Sequence, residues 1–229
     1  MAPDTHENSP RETTVLLVDD HAVVREGYRR LLERTPDIRV IAEAATGEDA
    51  YRLFAERGAD VIVLDLSLPG IGGLEVCRRI LARDETARIL VFSMHDDVLF
   101  SSRALKSGAR GYVTKASAPE VLVEAVRAVA AGRLYLSQDI ATELAVRALP
   151  GGHSPVQSLS AREFEVFRLL VEGRSVADIA RILSLSQKTV ANYQSSLRQK
   201  LDVANTTQAV RLAMSYGLFP ANAATPDTL

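Results

Sequence analysis

The sequence is short of cysteine, with Cys77 alone among 229 residues. One thiol excludes an intrachain disulfide and a cysteine-built zinc cluster, and its place in a helical pattern makes it a small core side chain. Long apolar runs are missing too. No stretch approaches the roughly 18 apolar residues of a membrane-crossing helix, and the opening MAPDTHENSPRE lacks the apolar centre of a secretory leader. A cytoplasmic protein with no membrane partner is expected. Charge of one sign is scarce as well, the formal net charge being −2. It is unevenly divided: residues 13–132 hold 16 Lys/Arg against 18 Asp/Glu, a net of −2, whereas residues 155–220 hold 8 against 5, a net of +3. A mildly basic second half suits a polyanion partner.

What is present is globular. Hydrophobic residues make up 47% and charged residues 24%, and the length suits one large or two ordinary domains. From Val15 the pattern alternates: VLLVDD reads as a buried strand, HAVVREGYRRLLERT as a helix, RVIAEAA as a strand, GEDAYRLFAER as a helix, and DVIVLDL as a strand. A helix at GLEVCRRIL, the strand RILVFSM, a helix near VLFSSRALKSG, the strand GYVTK and the helix PEVLVEAVRAVAAG follow. Strands apolar along their whole length, separated by crossover helices, imply an α/β doubly wound five-stranded parallel sheet covered on both faces. After Gly132 the alternation stops. RLYLSQDIATELAVRAL predicts one amphipathic helix carrying Ile140, Leu144 and Leu149, and PGGHSPVQS has linker composition. Residues 159–219 then read as an all-α domain of four short helices, with capping-box spacing at Ser160/Glu163 and Asn205/Gln208. The expected organisation is a tail over 1–12, an α/β domain over 13–132, a linker with a helix over 133–158, the helical domain over 159–219, and a disordered tail over 220–229.

Ligand chemistry in such a sheet collects at the carboxyl ends of the strands. Asp19 and Asp20 close the first strand, Asp65 the third, Ser93 the fourth and Lys115 the fifth. Three carboxylates brought together repel one another unless a hard divalent cation takes their oxygens, and Mg²⁺ is the natural choice because it keeps waters that phosphate oxygens can replace. The Lys115 ammonium and the Ser93 hydroxyl can then meet phosphoryl oxygens. The set fits a phosphoryl group carried on an aspartate. Singly, each aspartate reads as a helix cap or a loop residue; together at strand ends they read as a site.

LLVDDH, VIVLDLSLPGIGGLE, VFSM and GYVTK resemble the receiver domain of bacterial two-component response regulators, over residues 13–132. The resemblance implies that Asp65 is the phosphoacceptor and that the metal is held by Asp20 directly, by Asp19 through water, by Asp65, and by the Ser67 carbonyl. It also implies that Ser93 and Tyr112 form the switch pair beside Lys115, and that a sensor histidine kinase is the partner. LSAREFEVFRLLVEGRSVADIARILSLSQKTVANYQSSLRQKLDV resembles the LuxR-type helix-turn-helix, and the two together resemble the NarL/FixJ type of regulator. Periodicity agrees, with Phe164, Phe167, Leu170 and Val171 on one apolar face and Val176, Ile179, Ala180 and Leu183 on the next. A third helix from Gln187 would place Val190, Leu197 and Leu201 inward and Lys188, Ala191, Asn192, Ser195 and Gln199 outward, in the major groove of double-stranded DNA.

The resemblance assigns DNA contacts to Lys188, Thr189, Asn192, Tyr193, Ser195, Ser196 and Lys200. The family often has basic residues at the positions of Ala191, Gln194 and Ser195, and here none is basic. Phosphate attraction therefore falls to Lys188, Arg198 and Lys200 with Arg174 and Arg181, and base reading to Asn192, whose amide pairs well with adenine. The fourth helix, TTQAVRLAMSYGLF, is apolar on more than one face, and Val210 and Met214 would meet a second copy in a phosphorylation-dependent homodimer. The expected function is a phosphorylation-controlled transcription regulator, not an enzyme. Two rivals are an aspartyl-phosphate phosphohydrolase, disfavoured by the lack of a cap domain and of a second acid/base aspartate just after Asp65, and a receiver whose helical domain signals by protein contact.

Overall fold

The computed structural model describes residues 12–94, 98–147 and 155–215. The expected tails, except Glu12, and the candidate linker residue Leu149 lie outside that set. The first domain runs β1 Thr13–Val18, α1 Ala22–Glu33, β2 Ile38–Ala44, α2 Gly47–Arg57, β3 Val61–Leu64, α3 Gly73–Arg83, β4 Ile89–Ser93, α4 Val98–Lys106, β5 Gly111–Thr114 and α5 Pro119–Ala130. All its strand pairs are parallel. Period-two alternation sorts each strand's side chains between two cores. Val15, Leu17, Val61 and Val63 pack with Leu32 of α1 and Leu122 and Val126 of α5. Leu16, Val18, Ile62 and Leu64 pack on the other face with Phe54 of α2, Leu74 and Cys77 of α3, and Phe100 of α4.

The sheet has six strands, in the order β2-β1-β3-β4-β5-β6, where five were expected. The sixth is β6, Tyr135–Leu136, in a stretch expected to be helical. The edge of β5 offers backbone acceptors that a passing chain can use: Tyr135 N–H donates to the Arg110 carbonyl and Ser137 N–H to the Tyr112 carbonyl, both at 3.1 Å. The linker helix, α6 Gln138–Arg147, therefore starts later than the apolar pattern suggests.

After a 3-10 turn at Pro155–Ser158 come α7 Ala161–Val171, α8 Val176–Ile182, α9 Gln187–Leu201 and α10 Thr206–Ser215. Ser160 and Glu163 form the capping box reciprocally. Asn205 accepts from the Gln208 N–H, while the Gln208 side chain accepts from the Ala204 N–H rather than closing the same box. The tight turn between α8 and α9 is made by Ser184 at φ +50. Phe164, Phe167 and Ile179, with Val190, Leu197 and Leu201 of α9, are buried in this domain, as their spacing predicts.

The helical domain is docked on the sheet domain. The Phe100 and Phe164 rings meet edge to face at 4.8 Å. The Arg103 guanidinium of α4 lies 4.4 Å over the Phe164 ring and donates to the carbonyls of Leu159, at 2.7 Å, and Val156. Arg162 of α7 donates at 3.0 Å to the carbonyl of Gly70, in the loop between β3 and α3.

Candidate functional site

The strand order reverses around β1, which has β2 on one side and β3 on the other. Beyond the carboxyl ends of two strands whose following helices leave to opposite faces, a crevice opens that no helix fills. Asp19 and Asp20 follow β1 and Asp65 follows β3, its N–H donating to the Val18 carbonyl at 3.0 Å. Gly73 lets α3 begin hard against that junction, since a Cβ there would lie 2.3 Å from the Asp65 carbonyl oxygen.

Lys115, just past β5, reaches across this crevice. Its Nζ is 2.5 Å from an Asp19 Oδ and 2.6 Å from an Asp65 Oδ, and both aspartates are only 2% exposed. Burial alone would lower the Lys115 pKa, but the Asp65 charge and the bonds to both carboxylates outweigh it and hold the ammonium above its ordinary value. The second Asp65 oxygen accepts from the Ser67 N–H at 3.1 Å, and Asp19 accepts from the His21 N–H at 2.8 Å. Asp20, partly exposed, has His21 Nδ1 at 2.8 Å. Asp19 thus supports the start of α1 from outside, where the N-cap residue, His21, makes no side-chain cap. Ser93, at the end of β4, and Tyr112, within β5, are completely buried on neighbouring strands.

Of the residues expected at strand ends, Asp19, Asp65 and Lys115 meet in one crevice, Asp20 is exposed beside Asp19, and Ser93 ends the neighbouring strand β4. His21 meets Asp20 through the bend after β1. Asp19, Asp20 and His21 bring ligand atoms within 4.8 Å of one another. For a metal, the donor chemistry fits a hard cation: two carboxylates, Asp19 and Asp65, share one ammonium, Lys115, a third, Asp20, stands beside Asp19, and the residues between β1 and α1 and after β3 supply oxygen donors without a thiol.

In the helical domain, Lys188, Ala191, Asn192, Ser195 and Gln199 line the exposed side of α9. The other expected contacts divide. Tyr193 is half-buried and packs against the core. Thr189 shares a hydrogen bond with Ser186 at the helix start. Ser196 and Lys200 both donate to Glu163, at 2.7 and 2.8 Å; despite partial burial, those bonds hold the Glu163 carboxyl down at about 2. Arg181 pairs with Asp178 at the exposed surface and lines the cleft toward the sheet domain. On α10, Val210 is half-buried and Met214 is exposed.

Comparison with known proteins settles the family. Residues 15–127 match the response regulator receiver domain, and residues 157–213 match the bacterial regulatory proteins of the luxR family. The chain is 38% identical over 206 residues to the response regulator UvrY of Escherichia coli K12, covering 89% of this chain and 94% of that one. This chain is a two-component response regulator of the NarL/FixJ type. The regulator is also 41% identical over 207 residues to the transcriptional activator protein ExaE of Pseudomonas putida, covering 89% and 97% of the two chains. A solved structure of RcsB from Salmonella enterica serovar Typhimurium, bound to a promoter in the presence of the phosphomimetic BeF3−, aligns with a TM-score of 0.66 at 28% identity, over 90% of the regulator and all of that chain. The regulator accordingly joins a receiver to a LuxR-type DNA-binding domain and controls transcription. Among the described residues, no helix is long and apolar enough to cross a membrane.

Proposed function

We propose that the regulator, in the cytoplasm, accepts a phosphoryl group on Asp65 from a sensor histidine kinase and then binds DNA as a homodimer. The observation that carries this reading is the buried Asp65 carboxylate, held between the Lys115 ammonium and the Ser67 N–H at the switch point of the sheet. In the transfer, an Asp65 oxygen forms a bond to phosphorus while the P–N bond of the donor phosphohistidine breaks, its electron pair staying on the imidazole. Asp19, Asp20, Asp65 and the Ser67 carbonyl would hold Mg²⁺, and when bound it supplies positive charge to the phosphoryl oxygens. Lys115, already positioned by two carboxylates, offers its ammonium to the same oxygens, and Ser93 offers a hydroxyl. Tyr112 lies on the adjoining strand, paired with Val91 two residues before Ser93, and in this reading its ring follows a shift of the Ser93 hydroxyl. The protein acts as a stoichiometric acceptor rather than a turning-over catalyst.

On the DNA side, Lys188 meets phosphate and Asn192 reads a base, with Ser195 beside it. Val210 and Met214 form the contact between copies; for RcsB, a relative of the same architecture, a structure is described as two dimers bound to two parallel DNAs.

Incubation with Mg²⁺ and a small acyl phosphate should add one acid-stable, base-labile phosphate per chain. The Asp65→Asn variant should take up none, and retained labelling at the same stoichiometry would overturn the assignment.

A further inference from the structure

We propose that the docked effector domain gates Asp65 against protein-sized phosphoryl donors while leaving the DNA-reading face open. The inference rests on the reading of Asp65 as the acceptor. Docking does not cover α9, because Lys188, Asn192, Ser195 and Gln199 are exposed in the docked arrangement. What docking covers is the loop from Leu66 to Gly72, the one that carries Ser67.

The grip on that loop is specific. Arg162 Nη1 donates both to the Gly70 carbonyl, at 3.0 Å, and to Glu165, at 2.7 Å, while its other nitrogen donates to the Leu183 carbonyl at 2.6 Å. The Gly70 N–H points back to the Ile182 carbonyl at 3.5 Å. The Glu165 carboxylate occupies the space beside Gly72 so closely that a Cβ on residue 72 would lie 1.5 Å from its Oε1. Burial raises the Glu165 pKa, against the pull of Arg162, as expected of a side chain wedged between two domains with no water to retreat into.

Between the domains remains a cleft of about 430 Å³, with Asp20 and Ser67 on one side and Glu165, Arg168 and Arg181 on the other. That volume lies in the range of small-molecule sites. The cleft reaches Leu66 and Ser67, next to Asp65 in the chain; a small acyl phosphate is of a size to approach from that side, whereas a folded domain presenting a phosphohistidine there requires the wall to move. Transfer from a kinase is then limited to the fraction of time the effector domain is undocked, and transfer from a small donor is not.

Two variants of the full chain test this. Gly72→Ala puts a methyl group where Glu165 sits, at a backbone conformation alanine adopts freely, and Arg162→Ala removes the donor to Gly70. Each is labelled in parallel with a small acyl phosphate and with the autophosphorylated cytoplasmic domain of a sensor histidine kinase. Undocking should raise the kinase rate by about ten-fold if the open state is a minor one in the parent chain. The small-donor rate, which also reports a correctly folded receiver, should stay within about two-fold, as should the affinity of the unphosphorylated protein for DNA. Equal changes with both donors, or no gain with the kinase, would overturn the gate. A gain in DNA affinity without a gain in kinase rate would show that docking shields the DNA face instead. Absence of small-donor labelling in the parent chain would instead remove the assignment of Asp65 as acceptor.

Discussion

Lys115 holds together a site that would otherwise push itself apart. Its ammonium is shared between Asp19 and Asp65, two carboxylates almost closed to water. Removing one partner of a buried ionic set strands the others and typically costs about 3–5 kcal/mol. Lys115→Ala should therefore lower the melting temperature markedly in a metal chelator, and millimolar Mg²⁺ should restore more of the loss than it adds to the parent chain. Thermal melts of both proteins with and without the ion check this; an equal Mg²⁺ response in the two would mean that the lysine and the metal do not compensate the same charges. The variant should still accept phosphate on Asp65 but couple it poorly to Ser93 and Tyr112, so that phosphorylation leaves its affinity for DNA nearly unchanged.

Among the elements, α9 carries the proposed DNA contacts. Of the cations expected to draw it to DNA, Lys200 is engaged by Glu163 and Arg181 by Asp178, Arg174 and Arg198 are exposed, and Lys188 is the cation of its first turns. Replacing Lys188 by alanine should weaken binding to specific and scrambled duplexes alike and reduce the salt slope by about one unit. Asn192→Ala should cost about 1–3 kcal/mol on the preferred site and relax discrimination at one base pair. Titrations at several salt concentrations separate the two effects, and equal losses on both duplexes for Asn192→Ala would remove it as a base reader. The sequence made the exposed face of α9 legible because Val190, Leu197 and Leu201 fix which side is inward. It could not show that Ser196 and Lys200 turn toward Glu163, because that bond depends on how α7 crosses α9. The acidic crevice was legible for a similar reason: an apolar strand that ends on a carboxylate must present it at the rim of the sheet. β6 was not legible, since two residues carry no periodicity and their pairing is decided by the free edge of β5. Nor could the seat of Glu165 beside Gly72 be read, because those residues meet only through the docking of the domains.

For the whole molecule, the two domains share a core. The apolar cluster on one face of the sheet continues through Phe100 and Phe164 into the helical domain, so heating should melt both together, in one transition by calorimetry, as long as the Arg103 and Arg162 contacts hold. The short strand β6 bears on a related question, that of where the receiver ends. A fragment stopping at Gly132, where the α/β pattern ends, strips Tyr135 and Ser137 from the carbonyls of Arg110 and Tyr112. Two backbone hydrogen bonds of about 1 kcal/mol each are lost, and a bare strand edge is left beside Tyr112. A fragment 13–132 should therefore melt below a fragment 13–147 and scatter light first on concentration, through edge-to-edge pairing of its β5 strands. In the intact regulator β6 covers that edge, so the segment that tethers the DNA-binding domain also caps the sheet of the receiver.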